Sequence, residues 1–147
     1  MYSRIADNLY LGEFIDAIPF AQHYPHGLVV NVAGEANLKG YPVSAIVLPI
    51  AVSGIRGRTI VFEQQLHDIG TLIHRHRVKG PVLVHCWAGV ERSPLTIVYY
   101  LHKFEGIPWW DAYDLVMERR PIVQDRTHWM VWKSGRKGSF GVKTSCE

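Results

Sequence analysis

Residues 82–94, Val-Leu-Val-His-Cys-Trp-Ala-Gly-Val-Glu-Arg-Ser-Pro, constrain the fold more than any other stretch of the chain. Val82, Leu83 and Val84 put apolar side chains on both faces, as a strand covered on both sides requires. Six residues after Cys86, Arg92 opens an apolar run with helical spacing. A buried strand that passes through a glycine-containing loop into a helix is the repeating joint of α/β domains.

The remaining chain reads in the same alternation. Residues 8–12 predict a short strand, and 13–24 a short helix weakened by Pro19. Residues 27–34 form a β-branched run closed by glycine, and 44–52 a further strand with Pro49 marking an irregularity near its end. Over 59–77 the period is helical, with Phe62, Leu66, Ile69 and Ile73 on one face. Gly80 and Pro81 break the chain before the strand at 82–85. Three helical segments follow at 93–104, 109–119 and about 126–133. The order β-α-β-β-α-β-α-α-α predicts one α/β domain over residues 1–134, its sheet largely parallel and flanked by helices. Residues 135–147, polar, glycine-rich and basic, predict a flexible tail.

Composition narrows the functional classes. At 147 residues, 48% hydrophobic and 20% charged, the chain suits one globular domain with a real core. No apolar run reaches the roughly 20 residues that span a bilayer, and residues 1–12 lack the pattern of a signal peptide. The only cysteines, Cys86 and Cys146, do not make a disulfide framework, which points to a reducing, cytoplasmic setting. The net charge of +3 is mild and its cations scattered, which suits an anionic substrate and does not indicate nucleic acid. His67, His74 and His76 are not spaced i, i+4, so they predict a solvated helix face and no metal site. Trp109, Trp110, Trp129 and Trp132 are expected to pack helices and core.

Chemistry concentrates where the strand meets the helix. In sheets of this type ligands bind beyond the carboxyl ends of the strands, and Cys86 stands at such an end. The loop from Trp87 to Arg92 precedes a helix N-terminus, where unpaired N–H groups and the helix dipole favour an anion. Arg92 adds a two-pronged donor matched to phosphate oxygens. The same positive surroundings favour the thiolate of Cys86, an attacking nucleophile beneath a cradled phosphate.

The segment His85-Cys86-Trp87-Ala88-Gly89-Val90-Glu91-Arg92-Ser93 resembles the HCxxGxxR(S/T) signature of the cysteine-dependent protein tyrosine phosphatases, most closely the small dual-specificity and archaeal-type members. The likeness extends to residues 8–13, 28–33 and 118–125, and covers about residues 5 to 133. Low-molecular-weight tyrosine phosphatases also carry a Cys-x5-Arg-Ser-Pro loop, but near the N-terminus, whereas three predicted strands precede it here. The resemblance implies that Cys86 attacks phosphorus and carries a thiophosphate, while Arg92 grips the equatorial oxygens. It implies that Ser93 hydrogen-bonds the sulfur and that His85 holds the loop. Gly89 is expected to let the backbone approach phosphate with no Cβ in the way. With Trp87, Ala88 and Val90, His85 and Gly89 make up the expected substrate-binding loop, and Trp87 is expected at its rim, packing or stacking on an aryl phosphate. No cofactor or metal is implied.

One departure from the family pattern bears on mechanism. Its members protonate the leaving oxygen with an aspartate in the loop that follows the strand read at 44–52. Here residues 51–59 hold no acid, and no aspartate occurs between Asp16 and Asp68. Three other carboxyls are candidates. Glu91 precedes Arg92 inside the loop, an acidic position shared by myotubularin-like and rhodanese-fold cell-cycle phosphatases. Glu35 follows the strand at 27–34, and Asp125 lies in the late segment. Glu91 ranks first, because the loop alone fixes its position. The resulting expectation is a monomeric phosphatase acting on phosphotyrosine, with phosphoserine and phosphothreonine also admitted. A pseudophosphatase that binds phosphoproteins is the second class. Phosphoinositide or RNA 5′-triphosphate hydrolysis, with Arg56 and Arg58 facing a polyanion, is a third.

Overall fold

The run at 82–86 lies in the middle of the sheet, as its apolar faces require. A computed structural model describes residues 1–34, 39–52 and 59–134. Its strands are β1 (Ser3–Ala6), β2 (Leu9–Glu13), β3 (Leu28–Asn31), β4 (Ile46–Val47), β5 (Val61–Phe62), β6 (Val82–Cys86) and β7 (Met130–Val131). Its α-helices are α1 (Ala17–His23), α2 (Glu63–Arg77), α3 (Arg92–Glu105) and α4 (Trp109–Arg119). The main sheet has the order β1-β2-β6-β3-β4, with every neighbouring pair parallel except β1 and β2. This is an α/β fold with a mixed, mostly parallel sheet.

All five residues of β6 are buried, and they alternate between two apolar layers. Leu83 joins Val29, Ala17 and Phe20 beneath α1. Val82 and Val84 face the larger core with Leu66, Ile69 and Ile73 of α2, Leu95 and Val98 of α3, and Tyr113 and Val116 of α4. Pro19 falls in the first turn of α1, where its missing N–H leaves no helical bond unmade. Helix α3 stops at Gly106, whose φ of +73° is a left-handed cap that glycine adopts without strain.

The structure departs from the sequence reading in four places. β1, not foreseen, supplies the antiparallel edge. Only Ile46 and Val47 of the segment 44–52 form strand, and the irregularity expected at Pro49 follows them. The ladder nevertheless continues around it, with Leu48 N–H donating to Asn31 O and Ile50 N–H to Val32 O. Phe62 is not on the buried face of α2: it closes β5, one residue before the helix, and is 59% exposed. The helix expected at 126–133 is a single 3-10 turn, Thr127–Trp129, followed by β7, which pairs in parallel with β5. Met130 and Trp132 are buried on either side of the half-buried Val131, the alternation of a strand. The i, i+3 spacing of Trp129 and Trp132 imitated a helix because it spans a turn and a strand.

Glu63 ties these elements together. Its buried carboxylate accepts from Tyr99 Oη on α3 (2.7 Å) and from the Lys133 backbone N–H beyond β7 (2.8 Å), with Lys103 Nζ at 3.6 Å. Burial works against its charge, yet these donors win and hold its pKa below the usual carboxylate value. Trp109, Trp129 and Trp132 are buried, and the Trp109 indole N–H donates to Thr127 Oγ1 at 2.8 Å. Among the described residues no group of His, Cys, Asp and Glu could hold a metal ion, and no helix is long and apolar enough to cross a membrane. The segment 135–147, with Cys146, lies outside the described residues, as do Glu35, Arg56 and Arg58.

Candidate active site

Parallel registry brings three strand ends to one level. Glu13 of β2 is paired with Cys86, and Asn31 of β3 with His85. Asn31 Oδ1 then accepts from the N–H groups of Ala33 (2.8 Å) and Gly34 (3.0 Å), which turns the chain across the sheet's edge. The loop 87–91 rises from this platform and ends in α3, whose first two residues are Arg92 and Ser93.

Cys86 sits at the floor, 3% exposed. Its Sγ is 3.1 Å from Ser93 Oγ and 3.3 Å from the Gly89 nitrogen, which donates to it. Arg92 leaves α3 toward the strand ends, where Nη1 donates to Ala33 O (3.3 Å) and Ile50 O (3.5 Å). An open pocket of about 390 Å³ lies above, lined by Cys86, Trp87, Ala88, Val90, Glu91 and Arg92.

His85 is fully buried and does not line this pocket; it works from beneath. Its Nδ1 lies 3.1 Å from Cys86 O, an atom that can only accept, so Nδ1 carries the proton. Its Nε2 then accepts from Tyr41 Oη at 2.7 Å. Burial keeps the imidazole below its ordinary pKa, outweighing the hydrogen bond to Cys86 O and the charge of Asp16. Burial likewise pushes the Tyr41 phenol up to about 12, so it remains a donor.

Gly89 is required for a reason other than the one its position in the loop suggested. Its φ is +69°, and a Cβ there would stand 2.8 Å from both Gly12 O and Arg120 Nη2. The space that must stay empty is behind the loop, against β2 and Arg120. Trp87 is 51% exposed at the rim and stacks on Phe14, with ring centroids 4.3 Å apart and planes 11° from parallel. Packing and rim exposure are thus both realised.

The carboxyls separate clearly. Among the described residues Glu91 alone brings a carboxylate to the pocket lining; its Oε2 accepts from Arg126 Nε at 2.8 Å. Asp125 is spent on the local turn, where Oδ1 takes the Thr127 N–H (2.8 Å) and hydroxyl (2.5 Å). Glu35 and the segment where the family's aspartate would stand lie outside the described residues. Sequence reasoning missed Phe14 and Tyr41, which act across the fold. Arg120 lies in the segment 118–125, which the family likeness marked as a late active-site wall without singling out a residue.

Residues 9–132 match the family model described as dual specificity phosphatase, catalytic domain. The chain belongs to the dual-specificity phosphatase family. It is similar to human dual specificity protein phosphatase 22, with 31% identity over 123 residues, covering 80% of this chain and 64% of that one. To human dual specificity protein phosphatase 15 it is 25% identical over 150 residues, covering 95% and 49%. Both relatives are longer than the portion this phosphatase chain matches. The fold also matches a crystal structure of human DUSP28, with a TM-score of 0.70, 22% identity and coverage of 85% and 84%.

Proposed function

We propose that this phosphatase domain hydrolyses phosphate monoesters on proteins, phosphotyrosine foremost and phosphoserine or phosphothreonine as well, through a cysteinyl-phosphate intermediate. The observation that carries the reading is the Cys86 sulfur beneath the loop, within 3.3 Å of the Gly89 N–H and 3.1 Å of Ser93 Oγ. The Gly89 N–H and the Ser93 hydroxyl hold the sulfur at the floor of the loop, where an attacking atom is needed. Phosphate oxygens then meet the loop N–H groups and Arg92, which bind more strongly as charge spreads in the transition state. Sγ forms a bond to phosphorus as the ester oxygen departs and takes a proton. Water next attacks phosphorus, the S–P bond breaks, and the Ser93 hydroxyl stabilises the departing sulfur. Inorganic phosphate leaves and the thiolate returns.

We assign the proton to Glu91. Arg126 occupies Oε2, which leaves Oε1 to carry the proton to the leaving oxygen and to receive one from water. The exposed Trp87 face suits an aryl ester, and the open pocket does not exclude alkyl ones. A cytoplasmic, reducing setting suits a mechanism that needs Cys86 as a free thiolate.

A second reading, phosphoprotein binding without turnover, is favoured by the absent family aspartate. One comparison separates the two. The wild-type chain is expected to release phosphate from phosphotyrosine and phosphothreonine peptides, and Cys86→Ser to abolish release while still binding the peptides. Binding with no release by the wild type gives the second reading; release by Cys86→Ser removes Cys86 as nucleophile.

A further inference from the structure

Five consecutive carbonyls of the phosphate loop are already taken by protein donors. Cys86 O accepts from His85 Nδ1 (3.1 Å) and Trp87 O from the Phe14 N–H (3.2 Å). Ala88 O accepts from Arg120 Nη2 (3.3 Å), Gly89 O from Arg120 Nε (3.0 Å), and Val90 O from the Gln124 N–H (2.9 Å). In a trans peptide the C=O and the next N–H point in opposite directions. Each carbonyl drawn outward therefore turns the following N–H, those of residues 87 to 91, toward the other side. The Ala88–Gly89 peptide makes this explicit: its oxygen meets Arg120 and its N–H meets Cys86 Sγ.

Arg120 holds two of the five, and it is 6% exposed. All its donors are directed: besides Nε and Nη2, Nη1 donates to Met1 O (2.7 Å) and Ser3 Oγ (3.2 Å). The carboxylate of Glu13 stands 3.9 Å from Nη2 and offsets part of the charge. Among the described residues the other charged or titratable groups around the loop include Arg92, the neutral His85 with Tyr41 and Asp16 beside it, and Glu91 paired with Arg126. A buried guanidinium that spans adjacent carbonyls from outside does what a lysine point charge cannot, since its fork fixes two acceptors at once.

We infer that Arg120 is a positioning residue for the reaction proposed above: by holding the Ala88 and Gly89 carbonyls outward, it aims the Gly89 and Val90 N–H groups at the Cys86 sulfur and the phosphate oxygens. It touches neither substrate nor sulfur. The role rests on the phosphatase reading for its purpose, but its geometry can be read without turnover.

The test uses Arg120→Gln and the milder Arg120→Lys, with folding checked by thermal melts. The first readout is the rate of Cys86 alkylation by iodoacetamide against pH. Both variants are expected to move the profile to higher pH, since the Gly89 N–H is no longer aimed at sulfur. The second is inorganic phosphate affinity in a Cys86→Ser background, expected to fall about 10- to 100-fold, the scale of a small misplacement of binding groups. A merely structural arginine would lower the melting temperature and leave both readouts at their wild-type values in the folded protein. That outcome, in either folded variant, overturns the assignment. If wild type binds phosphate, loses it on Arg120→Gln, yet hydrolyses no ester, the reaction is wrong and the positioning role stands. If wild type turns over and both variants match it in alkylation and phosphate affinity, the reaction stands and the role of Arg120 falls.

Discussion

In the reaction proposed above Glu91 is the proton donor, and its geometry yields a sharp expectation. General-acid help is typically worth about 10²–10⁴-fold, most of it for basic leaving groups. Glu91→Gln keeps an acceptor for Arg126 but removes the proton, so hydrolysis of phosphotyrosine should fall by about that factor. An ester with an acidic phenol as leaving group should hardly slow. Steady-state kinetics on the two substrates checks this: equal loss on both would make Glu91 a brace for Arg126 and no donor. At this scale the sequence was generous. Cys86, Arg92, Ser93 and Glu91 are fixed by contiguous spacing, and a loop of that length between strand and helix leaves them little freedom. Tyr41 was out of reach, because its partner His85 lies 44 residues away and is decided by packing; at 118–125 the likeness marked the stretch but not Arg120 within it.

At the scale of elements, the second small sheet depends on one buried carboxylate. Glu63→Ala leaves the Tyr99 hydroxyl and the Lys133 N–H without their acceptor. The orphaned Tyr99 hydroxyl, which is buried, costs about 1–3 kcal/mol, and the part-buried Lys133 N–H less. A loss of about 2–4 kcal/mol in denaturant unfolding is expected, with β5–β7 the first amides to lose exchange protection. A change below about 0.5 kcal/mol, the range of ordinary surface substitutions, would show that the carboxylate holds nothing together. Helices α2, α3 and α4 were legible because they are long and periodic, and α3 also stops at a glycine. The two-residue strands β4, β5 and β7 were not, because so short a strand exists only through its partner. β5 and β7 pair residues 69 positions apart in sequence, a pairing that no local window contains.

For the whole molecule, His85 links stability to pH. Its ordinary pKa is 6.5, and burial holds the folded value lower. Between those two values the unfolded chain binds a proton that the folded chain does not, so stability falls as pH drops from 6.5 through the folded pKa. Above that range the contribution is complete. Melting temperatures measured from about pH 7.5 down to 5 should decline, and His85→Gln should decline less steeply over the same interval. Parallel slopes would mean that the imidazole titrates as freely as in the unfolded chain. The α/β layering was visible in the alternation of apolar runs. The antiparallel β1 was not, since its four residues mix charge and apolar character as any edge strand does.

The outward capture of the loop carbonyls also has an energetic meaning. A loop whose backbone is already committed when the chain folds meets its ordering cost then, and not at each encounter with substrate. In the reaction proposed above, phosphate meets a loop whose carbonyls are already held, so little of its binding energy goes to ordering that loop. In that reaction Glu91 grades esters by the basicity of the leaving group, and Trp87, held by its stacking on Phe14, is the wall that an aryl group leans on.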